Sequence, residues 1–264
     1  VEELIMNDTH IIIPDWPAPA RVKSAVTTRQ GGVSLPPYDS FNLAAHVGDN
    51  PEHVAKNRVR LKKAFHWARE PLWLNQTHSN IVIHAAHYQP GIEADACVAT
   101  KPHQVCAVLT ADCLPILVCN QQGTWIQAIH AGWQGIAKRV IETGIAAYTG
   151  DNMDLIAWLG PAIGPESFEV QSNVVEACTA DLTGAQKKIF IKKCFKPVEG
   201  KAGYFLGDLY DLSRQRLYKC GVTKIYGGNF CTYQDSERFY SYRRDGQGGA
   251  HKTGRIASLI WLAS

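Results

Sequence analysis

Four short apolar runs follow one another at 94–99, 105–110, 115–119 and 125–129, with no space for a helix in any gap. Runs of this length, bounded by polar breaks, predict buried strands. Gln121-Gln122-Gly123 between the last two reads as a short hairpin connection. Further strands are predicted at 22–28, 81–85, 154–159, 222–226 and 256–262. Helix signals are fewer. Asp49 or Asn50 followed by Pro51 opens a helix to about residue 68, because proline is tolerated at the first helical position. Residues 132–148 carry Ile136, Val140, Ile141 and Ile145 on one face, and Gly150 closes them. Ser172 caps a helix to residue 180, and Asp208 caps one that ends at Gly221. Strands that outnumber helices and follow one another directly predict a mixed α/β (α+β) fold, with packed mixed β-sheets flanked by helices. No G-x-G-x-x-G opens a helix after a strand, which argues against a dinucleotide-binding sheet.

No composition shift, low-complexity segment or fixed-period repeat divides the chain, so residues 1–264 read as one domain. Met6 reads as the natural start, with 1–5 a remnant ahead of it. Hydrophobic residues make up 45% and charged ones 19%, the balance of a soluble globular protein. No stretch approaches the ~18–20 uninterrupted apolar residues of a membrane span. The net charge of +3 comes from scattered basic residues, which leaves no electrostatic footprint for nucleic acid. The eight cysteines lie inside apolar runs, and no basic-then-apolar leader precedes them. They read as reduced, buried thiols of a cytoplasmic protein.

Histidine and cysteine placement carries the chemistry. His78 stands in Asn75-Gln76-Thr77-His78-Ser79-Asn80, just before a predicted strand. Cys113 stands in Thr110-Ala111-Asp112-Cys113-Leu114-Pro115, a polar break between two strands. His130 ends a strand in His130-Ala131-Gly132-Trp133, directly before a helix. Side chains at the ends of separate strands can meet at one rim of a sheet. Two neutral imidazoles and a thiolate make a three-ligand zinc site with its fourth position open, as catalytic zinc requires. On spacing alone, each histidine reads more readily as an ordinary hydrogen-bonded residue.

Longer motifs sharpen this. Thr27-Thr28-Arg29-Gln30-Gly31-Gly32-Val33-Ser34, Thr110-Ala111-Asp112-Cys113-Leu114-Pro115, His130-Ala131-Gly132-Trp133 and Gly160-Pro161-Ala162-Ile163-Gly164-Pro165 occur in that order. Cys231-Thr232-Tyr233, Ser241-Tyr242-Arg243-Arg244-Asp245-Gly246 and Leu259-Ile260-Trp261-Leu262 follow. Together they resemble the YfiH-like family, also called polyphenol oxidoreductase laccase-like or peptidoglycan editing factor, over nearly the whole chain. The resemblance implies a fold related to the cytotoxic necrotizing factors and zinc at His78, Cys113 and His130. It further implies purine nucleoside chemistry: phosphorolysis of adenosine, inosine, guanosine and methylthioadenosine, and deamination of adenosine. Two positions depart from the family pattern, Ser79 standing for glycine and Gln134 for arginine.

Within that expectation the residues take roles. A zinc-activated water is a nucleophile for C6 of adenine, and Asp112 beside Cys113 could move the proton or simply fix a turn. The catalytic set is therefore Cys113, His78, His130 and Asp112. Arg29 beside Gly31-Gly32 offers a charged fork and exposed N–H groups for phosphate, and the helix start at Gly132 adds a positive dipole end. Asn42, Gln76, Arg243 and Arg244 complete the substrate-binding candidates. The partners implied are a small-molecule nucleoside and phosphate.

Three rivals keep the same residues. Cys113 could be the nucleophile of a Cys–His hydrolase that edits mis-made muramyl-amino acid precursors. The chain could be a non-catalytic metal-binding protein. A laccase-like copper oxidoreductase is the third, but a multicopper cluster draws on paired His-x-His motifs and none of the ten histidines forms one. Copper is then at most adventitious at the zinc ligands.

Overall fold

The computed structural model describes residues 10–246 and 252–263, so the expected start at Met6 and the residues ahead of it lie outside the described chain. All nine predicted strands form, with ends shifted by at most two residues. They divide between two mixed sheets. The six-stranded sheet has the order Lys224–Gly227, Leu155–Leu159, Leu114–Asn120, Ile126–Ala131, Ala96–Ala99, Val82–His84. The five-stranded sheet has the order Ile11–Ile12, Val22–Thr27, Ile256–Leu262, Val105–Thr110, Leu72–Trp73. A small third sheet joins Glu169–Gln171, Tyr204–Gly207 and Phe195–Pro197.

Side-chain alternation along Val105–Thr110 shows how the layers stack. Cys106 and Val108 pack in one cluster with Cys97, Leu117 and Ile126 of the six-stranded sheet. Val105, Ala107 and Leu109 turn the other way, onto Phe41, Leu43 and, from the helix Pro51–Ala64, Leu61. On the far face of the six-stranded sheet, Ile116, Val118 and Ile129 pack with Ile136, Val140, Leu212 and Leu217 from helices. Both sheets are covered on both faces. That is why the central strands, such as Val105–Thr110 and Leu114–Asn120, read as apolar runs and not as alternating ones. The result is a single mixed α/β domain, sheets inside and helices outside.

Helix ends correct the sequence reading in three places. The helix from Pro51 stops at Ala64, and His66 takes a left-handed φ of 52° beyond it. The helix expected over 132–148 is two, Trp133–Ala137 and Val140–Ala146, broken where Arg139 adopts φ 71°. No glycine or proline marks that break, and the apolar spacing suits one helix equally. The break shortens the helix after Gly132 to five residues, so it offers little of the expected dipole. Ser172 is the first helical residue of Ser172–Cys178, and Gln171 holds the cap position without a side-chain bond. Asn50 and Asp208 do cap as expected, accepting from Glu52 N and Asp211 N.

Two crossings of the chain between the large sheets position the site. One runs from Val105–Thr110 through residues 111–113 into Leu114–Asn120. The other runs from Leu72–Trp73 through residues 74–81 into Val82–His84.

Candidate active site

Each crossing turns at a left-handed residue, Asp112 at φ 82° and His78 at φ 55°. These turns bring Cys113 and His78 to the same rim of the six-stranded sheet. His130 meets them from the strand Ile126–Ala131, in register opposite Pro115. The Cys113 Sγ lies 3.5 Å from His78 Nε2, and the ligand atoms of all three residues fall within 4.8 Å of one another. A 3.5 Å separation matches two ligands of one tetrahedral zinc with bonds of roughly 2.0–2.3 Å. Gly132 makes the approach possible: a Cβ there would sit 2.8 Å from both Cys113 Sγ and His78 Cδ2. Two imidazole nitrogens and a thiolate suit zinc or copper, so the residues present fit a metal.

The electrostatics couple Cys113 and His130. Burial pushes the Cys113 thiol up, but His130 and His78 outweigh it and bring it down to about 6. Burial would lower His130, yet the Cys113 thiolate and the Asp95 carboxylate raise it to about 9. Cys119 and Cys194, with no such neighbours, are pushed up to about 12 by burial. All eight cysteines are free thiols. Cys106, Cys178 and Cys220 are likewise raised by burial, whereas Cys113 is brought toward neutral pH.

Asp95 is the residue that sequence reasoning missed. Its carboxylate accepts from His130 Nδ1 at 2.7 Å, from the backbone N–H groups of Thr77, His78 and Ser79, and from the Ser79 hydroxyl at 2.6 Å. One buried side chain thus holds the His78 loop and fixes the proton of His130 on Nδ1, leaving Nε2 toward Cys113. Burial raises the Asp95 carboxyl, but the His130 and Ser79 hydrogen bonds bring it down to about 2. The signal in the sequence is a lone carboxylate inside the apolar run Ala94-Asp95-Ala96-Cys97-Val98.

A cavity of about 530 Å³ opens above the three ligands. That is within the ~300–1,000 Å³ of small-molecule sites. Trp133, Phe168 and Tyr242 line it, together with His46, Arg243 and Arg255. Gln76, Asp112 and Gln134 also reach its wall. The Gln76 amide is tied to both backbone groups of Leu109, at 2.9 and 2.8 Å. Asp112 is buried by its surroundings: one oxygen accepts from Thr232 Oγ1, the other from Ser241 Oγ and Arg243 N. With both oxygens engaged, its geometry is that of a clasp on the Cys113 turn and not of a proton carrier. Burial raises its carboxyl, against the pull of those three donors.

Three expected binders lie away from this wall. Arg29 donates to Asp39 O, Asp39 Oδ2 and Ser236 O. Asn42 is fully buried and bonds Ala44, Asp49 and Arg255 N. Arg244 donates to Asp245, Thr232 O, Tyr233 O and Phe239 O. The structure spends these polar atoms on holding loops together. Arg255 and His46, which sequence reasoning passed over, face the cavity in their place.

Comparison with known proteins gives the family and the fold. The family described as "Multi-copper polyphenol oxidoreductase laccase" matches residues 23–263. A protein of Escherichia coli K12 named purine nucleoside phosphorylase YfiH is 46% identical over 253 residues, 96% of this chain and 98% of that protein. A crystal structure from Neisseria meningitidis superposes with a TM-score of 0.88 at 43% identity, covering 97% of this chain and 100% of that one. The Bacillus licheniformis YfiH structure gives 0.80 at 26% identity, over 91% and 92% of the two chains.

Proposed function

The chain belongs to the YfiH family of laccase-like polyphenol oxidoreductases, and from that premise we propose that it is a zinc-dependent purine nucleoside phosphorylase that also deaminates adenosine. One observation carries the reading. Three metal-ligating side chains converge on the floor of a cavity whose wall pairs aromatic rings with guanidinium groups. The rings offer faces for a purine, and the cations offer charge for the phosphate that would attack the sugar. The substrates are adenosine, inosine, guanosine and methylthioadenosine. Relatives named purine nucleoside phosphorylase support the phosphorolytic part of the reading.

Zinc held by His78, Cys113 and His130 would supply a Lewis acid for an oxygen of the reacting groups. The protein's own residues do the rest. Asp95 keeps the His130 ring in one tautomer and the His78 loop in place. Asp112 fixes the Cys113 turn, so the thiolate stays at the rim. Trp133 and Phe168 restrict water beside the bound base. We place the protein in the cytoplasm, in keeping with its free thiols. Among the described residues no helix is long and apolar enough to cross a membrane.

The test is product analysis on metal-quantified protein. With inosine and phosphate, chromatography should show free base and ribose 1-phosphate, and omission of phosphate should abolish both. Adenosine without phosphate should give inosine and ammonia. No base release with any of the four nucleosides overturns the reading.

A hydrolase reading keeps one specific observation in its favour, the thiolate-forming Cys113 between two histidines. A thiolate tied to zinc is a poor free nucleophile. Stoichiometric zinc in active protein therefore decides for the metalloenzyme, and stoichiometric copper would assign the same ligands to the other metal.

A further inference from the structure

Arg29, Arg244, Arg243 and Arg255 divide sharply by what their nitrogens do. Arg29 uses Nε, Nη1 and Nη2 on protein oxygens, and Arg244 does the same. Arg243 commits only Nη1, to the carbonyl of Glu169 at 2.9 Å. Arg255 commits only Nη1, to the carbonyls of Thr253 and Gly254. In both, Nε and Nη2 form no hydrogen bond among the described residues. These two nitrogens are one edge of the guanidinium fork, the edge that grips a planar or tetrahedral oxyanion with two parallel bonds. Both arginines line the cavity.

The acidic groups of that cavity, Asp112 and Cys113, act on Arg255 only at longer range, and Arg243 acts on Asp112 in the same way. Neither Arg243 nor Arg255 has a carboxylate within ion-pair distance among the described residues, whereas Arg29 pairs with Asp39 and Arg244 with Asp245. Asp112, the acid on the cavity wall, is saturated by Thr232, Ser241 and the Arg243 N–H. Burial disfavours the Arg255 charge. A half-buried guanidinium with an open edge and no contact ion pair is costly unless a ligand supplies one. His46 stands beside Arg255 on the same wall and adds a neutral donor, since burial and the neighbouring cations hold its imidazole below the usual range.

We propose that Arg243 and Arg255, with His46, form an oxyanion subsite that takes a phosphate group in the cavity above His78, Cys113 and His130. The group is either free inorganic phosphate or the 5′-phosphate of a nucleotide. Its identity as a co-substrate rests on the phosphorolysis reading, but the subsite itself does not. Arg29 and Arg244 are outside it, and their loss acts on loop packing.

Calorimetric titration of metal-loaded protein tests this directly, with inorganic phosphate in one arm and inosine 5′-monophosphate in the other. Arg255→Gln and Arg243→Gln should each weaken binding by about tenfold or more, the scale of a charge-assisted contact, at unchanged metal content. Exposed Arg69→Gln is the control and should bind as wild type. Should Arg255→Gln fold poorly, Arg255→Lys keeps the charge and loses the fork, and it should bind at an intermediate level. Arginine-dependent binding of inorganic phosphate supports the subsite with a free ion as its occupant. Arginine-dependent binding of the nucleotide alone supports it with a substrate-borne phosphate. Wild-type protein that binds neither probe, or variants that bind both undiminished, overturn the subsite. Arginine-dependent phosphate binding without nucleoside cleavage overturns phosphorolysis alone.

Discussion

Asp95 and Asp112 stand on either side of the same three ligands, both buried and both next to a strand end, yet burial prevails at one and fails at the other. Asp95 accepts three backbone N–H groups, a hydroxyl and the His130 imidazole. Its carboxyl falls to about 2 in spite of burial. Asp112 accepts one backbone N–H and two hydroxyls, all neutral, and burial keeps its carboxyl raised. At Asp112 those donors and the nearby Arg243 charge lower the carboxyl without overcoming burial. At Asp95 the His130 imidazole, the Ser79 donors and the other N–H groups do overcome it. The lesson is a division of labour: the Asp95 side sets the protonation of His130 and holds the His78 loop, while the Asp112 side sets only where the cysteine turn lies.

The largest effects fall on metal binding. Cys113→Ala removes one of three ligands and should lose most of the zinc, which sets the scale. Asp95→Asn should cost about tenfold to a hundredfold in zinc affinity, because an outer hydrogen-bond partner of a ligating histidine is typically worth that much. Asp112→Asn should cost less than about threefold, since it touches no imidazole. Competition against a chelator measures all three. Equal losses in the two aspartate variants would erase the distinction drawn between the two sides.

Stability comes next. Asp112→Ala leaves Thr232 Oγ1, Ser241 Oγ and the Arg243 N–H without their acceptor. Unpaired buried groups cost about 1–3 kcal/mol each at most, and hydroxyls can turn to other partners. We expect a loss of about 2–3 kcal/mol in urea unfolding of the metal-free protein. Residual stability equal to wild type would mean that Asp112 clasps nothing.

Acid titration separates the two by sign. The Asp95 carboxyl is depressed to about 2, so its contribution is complete above the ordinary carboxylate range and is lost as pH falls through about 2. The Asp112 carboxyl is raised, so its contribution is greatest below the ordinary range and is lost as pH rises through its folded value. In metal-free protein, acidification from about pH 5 to about pH 2 should shrink the advantage of wild type over Asp95→Asn. Over the same window wild type should gain on Asp112→Asn. Shifts of one sign in both variants would refute the contrast.

These differences also mark how far the sequence could be read. His78, Cys113 and His130 were weak candidates on spacing alone; the ordered motifs and the resemblance they carry singled them out, and the fold brings them together. The sheets were legible because central strands covered on both faces read as apolar runs. The small strands at Glu169–Gln171, Phe195–Pro197 and Tyr204–Gly207, and the helix Gly184–Cys194, were not. They carry lysine, glycine and proline, and the helix buries only Phe190 and Cys194. Arginines misled most. Arg29 beside Gly31-Gly32 and Arg255 ahead of the last strand look alike in the sequence. Only the fold decides that one spends its fork on Asp39 and Ser236 while the other keeps an edge open.

The smallest expected effect belongs to Ser79, which stands where the family commonly has glycine. Its N–H and its hydroxyl both reach the same Asp95 oxygen at 2.6 Å, so the side chain adds a donor that glycine lacks. Ser79→Ala removes that donor and keeps the backbone bond. The site is partly exposed and four other donors remain, so we expect a loss of about 1 kcal/mol in stability and less than a threefold change in zinc affinity. The acid limb should move with it: one donor fewer leaves the Asp95 carboxyl higher, and its contribution is then lost at a less acidic pH. Ser79→Gly should cost slightly more, because glycine also widens the unfolded ensemble. A zinc affinity that falls as far as in Asp95→Asn would show that Ser79, and not the imidazole, is what makes the Asp95 side differ from the Asp112 side.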